Sequence, residues 1–496
     1  MSDRGGIQVS QSGYDIVAVG TGFATSFYLS EFLRWAAPGA KILVLERGPF
    51  LTHGERLLRR DGATPMTRGT FPVDPSQEMT NLTPARPWYF GFGHGGGSNC
   101  WWGTTPRMMP ADFELFSRFG VGADWPIGYD DLEEAYCDVE DAMGVSGSSR
   151  FTPFPRSRPY PLPPHRMNDP DYALATRFPD AFFAAPAARP SRAYRGRPAC
   201  CASHRCNQCP LDAKFTILNG MRNVYEDRRV ETAYDSTALA VEIEAGQATG
   251  VRFERQGRER VVQGDLVLLG ANAIFNPFLL LKSGLDGPQV GRGLVEQVGR
   301  AAFVKLRGMS GFQASSTHAG HGYSMHRDEL RSRQAACLIE TRGAPLLRKE
   351  RGRWLEHYVM HFIYEDLRQD QNRVTVDKED PNRPQVEFHG ISPYARLGLR
   401  RLEEDVAPLM EALPVESVEF ETEDSRTQFH IAGTCPMGED EERGVVDRQL
   451  VHHRVRNLVV AGASAFPTCA PANPTLTLSA LSVYAARKLF GKETSG

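Results

Sequence analysis

The stretch YDIVAVGTG, residues 14–22, is a short apolar run that ends in a Gly-x-Gly turn. An apolar run of this length is typical of a buried parallel strand, and Gly20 permits a tight turn directly after it. The second glycine, Gly22, lets a pyrophosphate approach the backbone where a helix begins. Residues 23–35 have the apolar spacing of that helix. The stretch therefore predicts the first strand and helix of a dinucleotide-binding fold, with Gly20 and Gly22 at the phosphates.

A second apolar run, residues 41–45, completes a βαβ unit and ends at Glu46. An acid at this point accepts hydrogen bonds from the ribose hydroxyls of the dinucleotide. The third glycine of the usual fingerprint is replaced by Thr25, which we expect to widen the contact between helix and strand slightly. The residues Glu46-Arg47-Gly48, which follow this second run, are typical of flavoproteins and favour FAD over NAD.

The composition is that of an ordinary soluble protein. The chain has 496 residues, enough for two or three domains, with 41% hydrophobic and 24% charged residues. A net charge of -3 gives no electrostatic argument for binding nucleic acid or an anionic membrane. No run reaches the roughly 18 apolar residues that a membrane helix needs. Residues 1–12 are polar and lack a signal-peptide core, so we expect a loose tail and a cytoplasmic protein.

A glycine-rich loop, GGGSNCWWGTTPR at residues 95–107, runs directly into two tryptophans. Glycines let the backbone lie against a flat ring, and Trp101 with Trp102 could separate a reacting face from water. The alternative is a loop that packs beside two core tryptophans. The loop predicts flavin contacts from Gly96, Ser98, Asn99, Cys100, Trp101 and Gly103.

The C-terminal region carries a His-x-x-Gly-Thr pattern at His430 and an Asn-Pro-Thr at Asn473. Oxidation of an alcohol moves a hydride from carbon to the flavin and a proton from oxygen to a base, a task that suits histidine. Pro474 and Thr475 begin a helix whose N–H groups could stabilise negative charge at the flavin N1–C2=O edge. For His430 the alternative is a core histidine with satisfied hydrogen bonds.

These motifs together resemble the glucose–methanol–choline (GMC) oxidoreductases, FAD enzymes that oxidise alcohols and sugars. The resemblance implies an α/β fold in which a Rossmann-type FAD-binding domain, built from discontinuous segments, accompanies an antiparallel-sheet substrate domain. It implies that His430 is the base and Asn473 its partner. It also places Ala271 and Gly462 close to the cofactor. A sugar-oxidising relative attaches its flavin to a histidine at the place of Cys100, so a cysteinyl link and an ordinary buried cysteine both stay open.

The pattern along the chain predicts strands at 247–254 and 265–271 and a helix at 276–284. The predicted division is a loose tail at 1–12, the first part of the FAD domain at 13–147, a loop-rich lid or interface segment at 148–199, the cysteine cluster and second part of the FAD domain at 200–300, the substrate domain at 301–424, and the C-terminal part of the FAD domain with the catalytic pair at 425–496.

Four cysteines lie within ten residues, at Cys200, Cys201, Cys206 and Cys209. Such a density can provide the ligands of one metal centre, and Cys-x-x-Cys-Pro is a familiar ending of iron–sulfur sites. The segment resembles the cluster-binding region of GMC dehydrogenases that pass electrons through a [3Fe–4S] cluster to a haem subunit. Zinc, a disulfide and bare structural cysteines are the alternatives.

The sequence thus predicts FAD-dependent oxidation of a CH–OH group of a sugar, glycoside or other alcohol, with hydride transfer to flavin N5. The electrons would pass to a partner subunit through an iron–sulfur cluster, or to oxygen. The alternatives are a GMC-fold lyase or photodecarboxylase, and a flavin electron-transfer subunit without catalysis. The resemblance implies export from the cytoplasm only with a partner that carries the signal.

Overall fold

The computed structural model describes residues 13–58, 74–150, 152–343 and 346–491. The predicted tail at 1–12 lies outside these ranges. Within them, no helix combines the length and the apolar character needed to cross a membrane.

Sixteen strands are found in the described ranges. In chain order they are β1 (Tyr14–Val19), β2 (Ile42–Leu45), β3 (Thr80–Asn81), β4 (Phe182–Ala184), β5 (Val230–Ala233), β6 (Ser236–Glu244), β7 (Gln247–Arg255), β8 (Arg258–Leu269), β9 (Val298–Leu306), β10 (His318–Met325), β11 (Cys337–Arg342), β12 (His357–Tyr364), β13 (Arg373–Val376), β14 (Pro384–Glu387), β15 (Val415–Phe420) and β16 (Leu458–Val460).

Twelve α-helices accompany them in the same ranges. They are α1 (Phe23–Trp35), α2 (His53–Leu58), α3 (Pro75–Glu78), α4 (Leu115–Phe119), α5 (Tyr129–Met143), α6 (Asp169–Arg177), α7 (Ile217–Gly220), α8 (Arg222–Tyr225), α9 (Asn272–Lys282), α10 (Asp328–Arg331), α11 (Pro393–Glu411) and α12 (Thr475–Phe490).

The first sheet is the predicted dinucleotide-binding sheet. Its strands follow the order β5-β2-β1-β8, all parallel, and β16 adds to β8 in the same direction. Strand β8 is long enough to serve two partners, because its first half pairs antiparallel with β7 and its second half pairs with β1 and β16. Helix α1 occupies the predicted residues between β1 and β2. The βαβ unit is therefore confirmed.

Two helices from the ends of the chain pack on this sheet. Helix α1 contacts α12, and α12 also contacts α5. Side chains such as Leu29 of α1 and Leu481 of α12 are fully buried, and a buried leucine stabilises the fold by roughly 1.5–3 kcal/mol. The FAD-binding domain is thus built from discontinuous segments, as predicted.

The second sheet is antiparallel throughout, with the order β15-β9-β12-β11-β10-β4. Helix α11 covers one face, where Leu399, Leu402 and Val406 are buried. Residues of β9, β11 and β12 on the other face line a large cavity. This is the antiparallel substrate sheet that the sequence predicted, and the predicted fold class is confirmed.

Two local predictions need correction. The helix expected at 276–284 begins at Asn272, because the Asn272 side chain accepts hydrogen bonds from the N–H groups of Ile274 and Phe275 at 2.8 and 3.2 Å and starts the turn early. The segment 148–199 is not loop alone, since it contains α6 and β4. Asn168 caps α6 by accepting from the Asp171 N–H at 3.0 Å, and β4 extends the second sheet at its β10 edge.

Candidate active site

A cavity of about 840 Å³ lies between the two sheets. Ligand pockets are typically about 300–1,000 Å³, so this one has room for a large cofactor and a small substrate. Its walls come from both ends of the chain and from the second sheet. Among the predicted site residues it is lined by Gly20, Gly22, Glu46, Gly96, Cys100, Trp101, Gly103, Ala271, His430, Gly462, Asn473, Pro474 and Thr475.

One end of the cavity is formed by the turn between β1 and α1. Gly20 has φ +89°, and a Cβ at this position would lie 2.8 Å from the carbonyl oxygen of Gly270, so only glycine fits. Gly22 is the N-cap of α1, and it lines the cavity together with the first residues of the helix. The positive end of a helix dipole therefore faces this end of the cavity, which suits a pyrophosphate.

Thr25, at the place of the usual third glycine, is accommodated by Gly270, which directly follows β8. A Cβ on Gly270 would lie only 2.1 Å from the Thr25 Oγ1. The residue without a side chain follows β8 instead of lying in α1, so the helix still packs closely against the end of the strand. The expected widening of this contact is therefore compensated at Gly270.

Glu46 joins two loops at the cavity wall. Its carboxylate accepts hydrogen bonds from the Thr21 N–H at 3.0 Å, the Thr21 hydroxyl at 2.6 Å, the Gly48 N–H at 2.9 Å and the Gly93 N–H at 2.8 Å. It thereby fixes the turn after β1 against the loop that precedes Gly96. Its binding to ribose hydroxyls stays a prediction.

The glycine-rich loop forms a 3₁₀ turn at Gly96–Asn99 and then passes along the cavity. Lys214 is almost fully buried and donates from Nζ to the carbonyl oxygens of Asn99 and Trp101 at 3.2 and 2.7 Å. Burial lowers the pKa of Lys214 to about 8. The Trp101 indole N–H donates to the Phe215 carbonyl at 2.8 Å. The segment around Lys214 therefore holds this loop from behind.

Two predicted residues of this loop do not line the cavity. The Ser98 hydroxyl accepts from the Ile217 N–H at 3.1 Å, and the Asn99 amide donates to the carbonyls of His94 and Gly96 at 2.9 Å each. Both side chains are used to shape the loop. Cys100 does line the cavity, and burial raises the pKa of its thiol to about 11.

His430 is held at the opposite end of the cavity by two neighbouring residues. Its backbone N–H donates to the Glu296 carboxylate at 2.8 Å, and its Nδ1 lies 2.8 Å from Gln297 Oε1. Burial lowers the pKa of His430 to about 4, while the charge of Glu296 acts in the opposite direction. At neutral pH the ring is therefore uncharged and able to accept a proton.

Asn473 lies just before α12 and is 8% exposed. Its Oδ1 is buried without a hydrogen-bond partner, and the side chain counteracts the rise in pKa that burial causes at the carboxyl of Glu340 on β11. His430 and Asn473 line the same cavity. The structure thus brings the two predicted polar residues to one site, with an unused acceptor on Asn473.

Comparison with known proteins agrees with this arrangement. Residues 368–482 match the family model described as GMC oxidoreductase. The chain is 26% identical to the fructose dehydrogenase large subunit of Gluconobacter japonicus, over 95% of this chain and 97% of that protein. It is 24% identical to the 2-methyl-1,2-propanediol dehydrogenase of Mycolicibacterium austroafricanum, over 95% and 94%. A formate oxidase of Aspergillus oryzae has the same fold, with a TM-score of 0.65 at 15% identity over 97% and 98% of the two chains.

Residues 368–482 of this chain are a GMC oxidoreductase domain. The resemblance seen in the sequence is confirmed, and FAD is the cofactor of this family. The residues of the cavity fit an FAD on three structural grounds. Gly96 lies against Gly22 and Gly20 against Gly270, where an added Cβ would lie 3.5 and 2.8 Å from the neighbouring backbone, and two helices, α1 and α12, begin at the cavity wall. Gly462 has φ +106° beside the start of α1 and leaves room for a ring. In this GMC oxidoreductase, α1 would hold the pyrophosphate and α12 the flavin N1–C2=O edge.

The four clustered cysteines do not converge as the sequence predicted. Across the described ranges, no group of three or more His, Cys, Asp or Glu side chains is arranged to hold a metal ion. Cys201 is exposed, whereas Cys206 is buried with its Sγ 2.9 Å from the Thr317 hydroxyl, and Cys200 lies 4.0 Å from the Ser316 hydroxyl. Positive φ angles at the intervening residues Ala202 and His204 turn the chain between the cysteines. The described ligand set, which also includes Cys209, does not fit an iron–sulfur cluster.

One wall of the cavity, formed by β11 and β12, could not be predicted from the sequence. Glu340 and His361 are direct partners on β11 and β12, so their side chains share the face that lines the cavity. The Glu340 carboxylate lies 3.5 Å from His318 Nδ1, and the ring of His318 stacks on Trp102 at 5.7 Å. Burial lowers the pKa of His361 to about 3. Only the pairing of β12 with β11 places His361 at the site.

Proposed function

We propose that this GMC oxidoreductase oxidises a CH–OH group of a sugar or related polyol, with His430 as the base. The observation that carries the proposal is that His430 and Asn473 face the same cavity as the dinucleotide-binding turn. Bound FAD would supply the hydride acceptor. The chain itself supplies a neutral imidazole that can take the hydroxyl proton and an amide that can orient the hydroxyl group.

The polarity of the cavity supports a substrate with several hydroxyl groups. Its substrate-side wall presents Glu340, Arg342, His361 and Gln428, which together offer both donors and acceptors. An apolar alcohol would leave the remaining hydrogen-bonding capacity of this wall unused, at a cost of about 1–3 kcal/mol for each buried polar atom left without a partner. The two enzymes compared above are named for a sugar and for a diol, which agrees with this class.

The site also supports exclusion of water during the reaction. Trp102 lines the cavity, stacked on the buried His318, and the Arg189 side chain donates to the Trp102 carbonyl. This holds one aromatic wall of the cavity in place. A dry site strengthens the hydrogen bonds that orient the substrate hydroxyl.

The test is anaerobic mixing of the FAD-loaded protein with a panel of sugars, polyols and simple alcohols, while flavin absorbance is followed. We expect polyols to bleach the flavin, and His430→Ala to slow bleaching by about 10²–10⁴-fold while FAD stays bound. His453→Ala is a matched control, because His453 Nε2 donates to the Gly438 carbonyl oxygen at 3.2 Å and the residue does not line the cavity. A flavin that no alcohol reduces would favour a lyase, a photodecarboxylase or an electron-transfer subunit.

We propose that the reduced flavin passes its electrons to a partner protein or to a quinone, and not to oxygen. The two proteins compared above by sequence identity over 95% of this chain, at 26% and 24%, are named dehydrogenases, and one of them is a large subunit. The measurement is the rate at which reduced flavin is reoxidised by air-saturated buffer and by a quinone. Faster reoxidation by oxygen would make the enzyme an oxidase.

A further inference from the structure

The buried side chain of Gln297 lies between the two predicted catalytic residues. It is 1% exposed and follows directly after Glu296, just before β9. Its Oε1 lies 2.8 Å from His430 Nδ1. Its Nε2 lies 2.8 Å from the Ala470 carbonyl oxygen and 3.0 Å from the Ala472 carbonyl oxygen, in the segment that leads into Asn473.

The carbonyl groups of Ala470 and Ala472 determine the orientation of the Gln297 side-chain amide. A carbonyl oxygen can only accept a hydrogen bond, so the NH₂ group of Gln297 must face Ala470 and Ala472. The amide oxygen then faces His430, and an oxygen acceptor at 2.8 Å requires a proton on Nδ1. A neutral imidazole carries one proton, so the Nε2 of His430 keeps its lone pair.

We propose that Gln297 is a positioning residue that holds His430 as the Nδ1–H tautomer, so that Nε2 is the atom that takes the substrate proton. The role assigned to Nε2 rests on the proposed function, whereas the tautomer itself does not. Gln297 also fixes the chain before Asn473, so a single amide sets the orientation of the base and the position of its partner.

The surroundings of Gln297 make this arrangement rigid. The Glu296 carboxylate accepts from the Thr427 hydroxyl and from the N–H groups of Gln428 and His430, all at 2.8 Å. The segments are also paired through Val295 and Ala432, which exchange hydrogen bonds at 3.1 and 2.9 Å. The ring of His430 therefore cannot reach another partner without moving this whole segment.

The tautomer can be observed without substrate. We would record ¹⁵N NMR spectra of the FAD-loaded protein labelled at histidine, and assign His430 from its absence in His430→Ala. We expect a protonated Nδ1 and an unprotonated Nε2 at pH 7 in the native protein, and a loss of this state in Gln297→Met, which keeps length but offers no acceptor. A native spectrum with the proton on Nε2 would overturn the proposal, even if the variant failed to fold.

Kinetics give a second, independent readout. We expect Gln297→Met to slow substrate-driven flavin reduction by about 10–100-fold, the usual effect of losing the partner that orients a histidine. Loss of the acceptor also removes stabilisation of the imidazolium, so the acid limb of the pH–rate profile should move to lower pH. A merely loosened fold would admit water and move the limb upwards, towards the ordinary pKa of histidine, which would count against the proposal.

Gln334→Met is the matched control. Gln334 is also a buried glutamine that donates from Nε2, in this case to Asp405 at 2.6 Å, and it does not line the cavity. The expected flavin reduction rate and pH profile of this variant are those of the native enzyme. If no alcohol reduces the flavin but the NMR spectrum shows the Nδ1–H tautomer, the proposed function fails and the positioning by Gln297 stands.

Discussion

His430 combines two properties that usually oppose each other in a base. Burial keeps the imidazole uncharged, which leaves a lone pair available, but it also lowers the pKa to about 4 and thus weakens the base. The nearby carboxylate of Glu296 limits this lowering, although it contacts the backbone N–H of His430 and not the ring. The site therefore favours an imidazole that is unprotonated over a wide pH range, at the expense of its strength as a base.

This predicts an unusual pH dependence of the proposed reaction. Below its pKa the His430 ring is protonated and cannot accept a proton, so the rate falls only on the acid side of about pH 4. We expect the rate constant of anaerobic flavin reduction to be nearly constant from pH 8 to pH 5, without an inflection near 6.5, the ordinary pKa of histidine. Stopped-flow measurements across this range test it, and a half-maximal rate near pH 6.5 would show that the ring is solvated during turnover.

At the level of residues, the site residues that belong to local motifs could be predicted from the sequence. Those that reach the site from distant segments of the chain could not. His430 and Asn473 sit in recognisable patterns. Gln297 contacts His430 across 133 residues, and Glu340 reaches Asn473 from a strand of the second sheet. A glutamine or glutamate in such a position has no local pattern, because its role exists only once the strands have paired.

At the level of elements, the contact between α1 and β8 shows how an imperfect fingerprint still works. A glycine on the helix usually allows close packing, yet here Thr25 is on the helix and the glycine is Gly270, directly after the strand. The contact needs one small residue, and either side can provide it.

We therefore expect Gly270→Ala to overfill this contact. The added methyl group would lie 2.1 Å from the Thr25 Oγ1, so the variant should lose about 1–3 kcal/mol of unfolding free energy and part of its FAD affinity. Thr25→Gly should be tolerated, and the double variant Thr25→Gly, Gly270→Ala should regain most of the loss. Denaturant titrations of all four proteins measure the coupling between the two positions. Additive effects would show that the residues do not share the contact.

The cysteine segment gives a second prediction for an element. Since the thiols are not gathered, we expect anaerobically purified protein to contain neither stoichiometric iron nor acid-labile sulfide. Cys206→Ser should leave FAD bound and keep its contact with Thr317, because a hydroxyl can replace the thiol in the hydrogen bond. Several iron atoms per chain together with sulfide would mean that residues 200–210 fold differently around a cluster.

Element boundaries were predictable where periodicity and capping agreed. Helix α1 has clear apolar spacing and lies where the sequence placed it. Helix α9 begins earlier than the predicted residue 276, because the Asn272 side chain accepts a hydrogen bond from the Ile274 N–H and starts the first turn. Strand β4 has three residues and owes its existence to pairing with β10, which no local pattern could reveal.

At the level of the whole molecule, the cavity lies between two sheets that belong to different parts of the fold. A cofactor in it touches both sheets, and binding to the folded state alone stabilises that state. Stabilisation should amount to about 2.7 kcal/mol when free FAD is at 100 times its Kd. The cofactor is thus expected to act as a structural link between the two sheets.

The corresponding prediction concerns Glu46, which fixes two loops of the cavity. Glu46→Ala removes the acceptor for the N–H groups of Thr21, Gly48 and Gly93. We expect the variant to be purified with little FAD and to show a smaller rise in Tm when FAD is added. Glu231→Ala is a control, because Glu231 accepts from the Tyr14 hydroxyl at 2.9 Å and does not line the cavity. A normal FAD content in Glu46→Ala would contradict the assigned role.

The short strand β16 has a consequence for biosynthesis. It pairs with β8 and leads directly into Gly462, and the chain then continues through Asn473 to the start of α12. Residues 14–269 can leave the ribosome and form most of the first sheet, yet the cavity still lacks one wall. Synthesis must pass residue 475 before that wall exists. FAD loading is therefore a late event, and ribosome-bound chains that stop before β16 should capture the flavin far less well than released ones.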